Sequence, residues 1–222
     1  MSLILHIDTA LEGAAVSLAR NGRVLQLESS HEQKDHAAWL HPAIDRLIKQ
    51  EGCTLRDLQA VAVSIGPGSY TGLRVGLSAA KGFCFALDIP LITVGTLEIL
   101  AASVQNAAAD LICPLIDARR MEVYAAVYTK DLTEKQPPHS LLVDSNSFHE
   151  LLSAHPILFC GSGSKKIQDL ISHPNAVFSA SSPDPQAFAH LSLRYFSHQK
   201  FAELAYAEPL YIKEFYTPAR RN

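Results

Sequence analysis

Charge is scarce in this chain. Asp, Glu, Lys and Arg together supply 18% of 222 residues, and the formal net charge is −3. A balance so near neutral excludes a broadly basic nucleic-acid surface and leaves room only for a local patch. Cysteine is sparse too: Cys53, Cys84, Cys113 and Cys160 lie far apart and form no C-x-x-C pair. Cys84 and Cys113 sit inside apolar runs, where a free thiol behaves as a small hydrophobe, so a reducing compartment is expected. No apolar run is long enough to span a bilayer. Met1-Ser2 leads straight into a strand, without a basic n-region or a small-residue cleavage site. The expectation is a soluble, cytoplasmic protein.

Catalytic signatures are equally short. A dinucleotide fingerprint needs G-x-G-x-x-G, but the glycines here fall at 66, 68 and 72, one residue too far, and no P-loop is present. His31, His36 and His41 recur every five residues, about 140° apart on a helix, so they do not share a face and read as surface or packing side chains. There is no H-E-x-x-H, no G-x-S-x-G elbow and no metal-ligand cluster.

What the chain does contain is centred on 65–87, IGPGSYTGLRVGLSAAKGFCFAL. The apolar run 61–65 enters a turn, Gly66-Pro67-Gly68-Ser69, in which glycine allows backbone angles that a Cβ forbids and proline fixes φ. Ser69 or Thr71 can cap the helix that follows. That helix carries only Arg74 and Lys81 as charges. Gly72, Gly76, Ala79, Ala80 and Phe83 form a small-residue face, and Leu73, Leu77, Cys84 and Leu87 extend the apolar surface around a neighbouring side. Two readings fit: a helix buried within one domain, or one that packs on its own sheet and on a partner.

On the N-terminal side, 3–8 reads as a buried strand delivering Asp8 to its edge. The Thr9–Gly13 turn, the strand 14–20, the hairpin signal Asn21-Gly22 and the strand 23–29 follow. Asp8 either caps its own turn or keeps a ligand or metal role. A helix over 35–51 presents Trp39, Leu40, Ile44, Leu47 and Ile48 on one side, with Pro42 inside it. On the C-terminal side come a strand at 91–95, a helix over 97–106, and strands at 111–116 and 121–129. A loop over 130–141 containing Pro137-Pro138 follows. Helices over 145–154, 164–172 and 184–198 then alternate with strands 156–160 and 176–179. The Asp117–Arg120 turn is either an anion holder or a solvated hairpin. Gly161-Ser162-Gly163-Ser164 is either an anion loop at a helix start or a compact turn.

LHIDTALEGAAVSL at 5–18, GPGSYTGLRVGLSAAKGFCFALDIPLITVGTLEIL at 66–100, DARRMEVYAAVY at 117–128 and EPLYIKE at 208–214 resemble the TsaB (YeaZ) family. The resemblance implies a two-lobed actin-like ATPase (ASKHA) α/β fold, with one lobe over 1–104 and a smaller one over 105–222 whose tail returns to the first. It implies a non-catalytic partner that docks on TsaD and activates threonylcarbamoyl transfer to adenosine 37 of tRNA, with TsaE joining and tRNA met through the complex. A homodimer is implied when TsaD is absent. Docking in the family uses the first two long helices, here 35–51 and 70–87, which would place Trp39, Ile44, Leu47, Gly72, Leu73, Gly76, Leu77, Ala80 and Phe83 at the interface. No cofactor is required by the chain alone. Weak or interfacial ATP or ADP would use the loops at Asp8, Thr9, Gly66, Gly68, Ser69, Gly161 and Gly163. A free-standing actin-like ATPase or metallopeptidase-like enzyme is the alternative.

Overall fold

The computed structural model describes residues 2–30, 36–105 and 109–213. His31, the helix start expected at Asp35, the end of the helix expected over 97–106 and the basic end of the tail lie outside those residues.

The first sheet is built around β1 (Leu3–Asp8). It runs antiparallel to β2 (Ala14–Arg20) and parallel to β4 (Ala60–Ser64). With β3 (Arg23–Ser30) and β5 (Leu91–Val94) the order is β3-β2-β1-β4-β5. Asn21 and Gly22 both take positive φ, 52° and 79°, as a tight hairpin between twisted strands requires. Successive side chains of a strand point to opposite faces. Leu3, Leu5 and Ile7 accordingly enter one core with α1 (His36–Gln50) and α2 (Tyr70–Leu87). Ile4 enters another, with α6 (Pro185–Ser197) and Ile99 of α3 (Thr96–Ser103).

The second sheet contains β6 (Leu111–Asp117), β7 (Glu122–Thr129), β8 (Glu134–Leu142), β9 (Ile157–Cys160) and β10 (Ala176–Ser179). Its order is β8-β7-β6-β9-β10, with β6–β7 and β7–β8 antiparallel and β6–β9 and β9–β10 parallel. This repeats the first sheet strand for strand. The chain is thus the two-lobed actin-like α/β fold, each lobe a hairpin pair followed by parallel strands. α3 lies between the sheets, where Leu97, Leu100 and Ala101 meet Ile112, Ile116 and Ala126. On the outer face of the second sheet lie α4 (His149–Ala154) and α5 (Ser164–Gln168).

Two expectations are corrected. The loop expected over 130–141 is mostly β8, and Pro137-Pro138 is tolerated there because β8 is an edge strand with register shifts against β7. The helices expected over 145–154 and 164–172 shorten to α4 and α5. No helix among the described residues is long and apolar enough to cross a membrane.

Candidate partner-docking surface

The turn after β1 lies directly on the first half of α2. Ser69 N–H donates to the Ala10 carbonyl at 2.7 Å, and the Thr9 hydroxyl donates to the Gly72 carbonyl at 2.7 Å. Ser69 is the N-cap of α2, its hydroxyl accepting from Gly72 N–H at 3.2 Å. A Cβ added at Gly68 would stand 2.1 Å from the Ala10 carbonyl oxygen, one at Gly72 2.0 Å from that of Thr9, and one at Gly76 2.3 Å from the Thr9 hydroxyl. Glycine is required at all three, because backbone occupies the space at Gly68 and Gly72 and the Thr9 side chain occupies it at Gly76.

This corrects the expected interface. Gly72, Leu73, Gly76, Leu77 and Ala80 are buried within their own lobe, as are Ile44 and Leu47 of α1. The small-residue stripe serves a close approach inside the chain, which periodicity cannot distinguish from one between chains. Trp39 and Phe83 are half-buried at the rim of the same core.

The opposite side of α2 is open. Between α1 and α2 runs a groove of about 660 Å³, its α2 wall formed by Arg74, Val75, Ser78, Ala79, Gly82, Phe83 and Ala86 and its α1 wall by Ala37, Leu40 and His41. His41 and Phe83 face each other with ring centroids 5.6 Å apart. A Cβ on Gly82 would meet nothing within 4 Å, and Phe85 nearby is 83% exposed.

A C-terminal strap borders the other flank of α2. Ala202 N–H donates to the Leu91 carbonyl at 2.9 Å, and Leu210 N–H to the Ile65 carbonyl at 2.7 Å. Lys81 Nζ donates to the carbonyls of Ala205 and Ala207 at 3.2 and 3.1 Å. Arg74 Nε donates to Tyr211 Oη at 3.0 Å, and its guanidinium lies 4.0 Å from the Tyr70 ring centroid, a cation–π arrangement. Of the ten large apolar side chains exposed among the described residues, six (Tyr70, Phe85, Phe201, Tyr206, Leu210 and Tyr211) belong to α2 or this strap. An exposed apolar concentration of this kind marks a contact surface. Which side chains of α2 the tail meets could not be read from the sequence, because Arg74 and Tyr211 are 137 residues apart and no short-range pattern joins them.

The loops expected to hold an anion are closed by the chain itself. Asp8 Oδ1 accepts from Ser64 Oγ at 2.7 Å and from Ala10 N–H at 3.2 Å, so the carboxylate caps its own turn. Burial raises its pKa, and the Ser64 and Ala10 bonds oppose that rise. Thr9 is fully buried, its hydroxyl engaged by Gly72, and the Gly66 carbonyl accepts from Thr96 N–H at 2.8 Å. Beside Asp8 there is a cavity of only about 30 Å³, lined by His6, Ser17, Asp184 and Phe188, room for one water and far below the several hundred Å³ of a small-molecule pocket. Gly163 N–H donates to the Leu115 carbonyl at 3.0 Å and Ser164 N–H to the Gly161 carbonyl at 3.1 Å. The Gly161–Ser164 segment is therefore a compact strand-to-helix turn in which the Gly163 and Ser164 N–H groups are already paired. Among the described residues no three His, Cys, Asp or Glu side chains are grouped to hold a metal ion.

A family model described as TsaD, tRNA N6-adenosine threonylcarbamoyltransferase, matches residues 28–207. The chain is 31% identical over 190 residues to the tRNA threonylcarbamoyladenosine biosynthesis protein TsaB of Bacillus subtilis, with 82% of each chain covered. It is 35% identical over 132 residues to the Escherichia coli protein of the same name, covering 58% of this chain and 55% of that one. Among solved structures, YeaZ from Pseudomonas aeruginosa superposes with a TM-score of 0.79 at 25% identity, over 95% of this chain and 100% of that one. Another P. aeruginosa protein, described as similar to peptidase YEAZ, gives 0.84 at 26% identity, over 96% and 100%.

Proposed function

The chain belongs to the TsaB (YeaZ) family of tRNA threonylcarbamoyladenosine biosynthesis proteins, and from that premise we propose that it is a non-catalytic subunit docking on a TsaD-type transferase. Docked, it activates threonylcarbamoyl transfer to adenosine 37 of tRNA in the cytoplasm. The observation that carries this reading is the open groove between α1 and α2.

A transferase family model matching 28–207 supports a partner with a similar fold. Two related subunits can meet through equivalent helix pairs in a pseudo-twofold contact, each laying ridges into the other's grooves. A second copy of this chain fits the same surface when the transferase is absent. TsaE joins the assembly, and tRNA is met within it.

The chain supplies no reacting group. It holds the transferase in its active arrangement by contributing binding free energy to one conformation of the partner over another. ATP or ADP, where bound, is shared across the subunit interface, because the cleft beside Asp8 has room for a single water. The test is reconstitution of threonylcarbamoyl transfer with and without this chain. The wild-type chain restores transfer, and Gly82→Arg, which places a charged side chain in the groove, lowers it at least about tenfold, the scale of losing a buried interface contact. Transfer unaffected by omission of the chain, or ATP turnover by the isolated chain above background, contradicts the reading.

A further inference from the structure

The hairpin between β6 and β7 places two arginines in a backbone conformation that residues with a Cβ disfavour. Arg119 and Arg120 have φ of 69° and 51°. Such positions usually go to Gly, Asn or Asp. Neither arginine is in an ion pair among the described residues, and both are exposed.

The turn is held firmly from beneath. Asp117 Oδ1 accepts from Arg119 N–H and from Lys166 Nζ, each at 2.6 Å, and Asp117 N–H donates to Ser162 Oγ at 3.1 Å. Ala118 N–H donates to the Glu122 carbonyl at 3.1 Å and Glu122 N–H to the Arg119 carbonyl at 3.2 Å. Lys166 also donates to the Glu122 carbonyl at 3.0 Å, and Lys213 pairs with the Glu122 carboxylate. Asp117 and Glu122 are thereby neutralised locally. Asp144, close to the tip through the Val143 N–H bond to the Met121 carbonyl, has its carboxylate engaged by Asn146 N–H and Ser147 Oγ. Arg119 and Arg120 project from this tip with no carboxylate paired to them among the described residues.

We propose that the Arg119–Arg120 tip contacts the phosphodiester backbone of the RNA that the assembly modifies. The proposal rests on the tRNA-modification reading above. Guanidinium groups recognise phosphate through paired hydrogen bonds, and contacts of this kind position a nucleic acid without reading its bases. A chain with net charge −3 offers no broad attractive field, so a rigid local tip is the form its contribution takes. The strained backbone belongs to the same account: arginine is kept where the turn itself would favour Asn-Gly.

The test uses the reconstituted assembly of this chain with its transferase and ATPase subunits, and an unmodified tRNA transcript titrated across a salt series. Arg119→Glu with Arg120→Glu raises the Kd for the transcript at least about tenfold and lowers the slope of log affinity against log salt by about 2, while sizing and thermal melting of the assembly are unchanged. Arg119→Asn with Arg120→Gly suits the turn, so it raises the melting temperature of this chain while weakening RNA binding. RNA affinity within twofold of wild type in either double variant overturns the proposal. So does loss of transferase binding, which would make the tip a protein contact. A wild-type assembly that does not retain the transcript removes the tRNA reading and the proposal together.

Discussion

The Thr9 hydroxyl donates to the Gly72 carbonyl at 2.7 Å, while the Thr9 carbonyl oxygen stands 2.0 Å from where a Cβ on Gly72 would lie. The first strand's exit and the long helix therefore touch backbone to backbone, 63 residues apart in sequence. The contact fixes how α2 sits on the sheet.

Gly72→Ala and Gly76→Ala should each destabilise the isolated chain by about 1–3 kcal/mol, the usual range for overpacking. Urea unfolding of the monomer checks this. Unchanged stability would mean that the seam yields easily and that the small-residue stripe is free for another partner.

His6 gives a pH dependence. It is buried, its Nε2 lies 2.6 Å from Ser192 Oγ, and its ring packs edge-on to Phe188. Burial lowers the pKa from 6.5 to about 4. Between those values the unfolded chain binds more protons than the folded one, so stability falls as pH drops from about 6.5 to 4. The slope reaches about 1.4 kcal/mol per pH unit. Asp8, raised by burial, acts oppositely at the acid end, gaining its proton in the folded chain first. His6→Gln should flatten the curve across this window in urea unfolding at a series of pH values; an unchanged curve would place the acid sensitivity elsewhere.

The strap should detach without unfolding the lobe. Tyr211→Ala removes the acceptor of Arg74 Nε and a ring that stands 5.3 Å from Tyr70. Amide exchange at Leu210, whose N–H reaches the Ile65 carbonyl, should quicken while β1 and β4 keep their protection. Faster exchange throughout the first sheet would instead make the strap part of the cooperative core.

Much of the fold was legible because local chemistry and tertiary packing agree. Asn21-Gly22 specifies its hairpin, Ser69 caps its helix, and the alternation of Leu3, Leu5 and Ile7 chooses the face that α1 and α2 cover. β8 was hidden because Pro137-Pro138 opposes strand formation everywhere except at an edge, and edge position is a tertiary property. The candidate surface was legible as a pair of helices but not as a face. Gly76 and Gly82 look alike in sequence. One has Thr9 against its Cα and the other has open space, a distinction set by a turn more than 60 residues away.

That distinction supplies the most direct measurement. Gly82→Arg adds a side chain where nothing lies within 4 Å, and it replaces glycine in a helix, a change worth about 1 kcal/mol in favour of the folded chain. Thermal melting and the Kd for the TsaD-type transferase, measured on one preparation, should show a melting temperature equal to or above wild type and affinity at least about tenfold weaker. A folded Gly82→Arg chain that binds the transferase as wild type does would contradict docking through the α1–α2 groove.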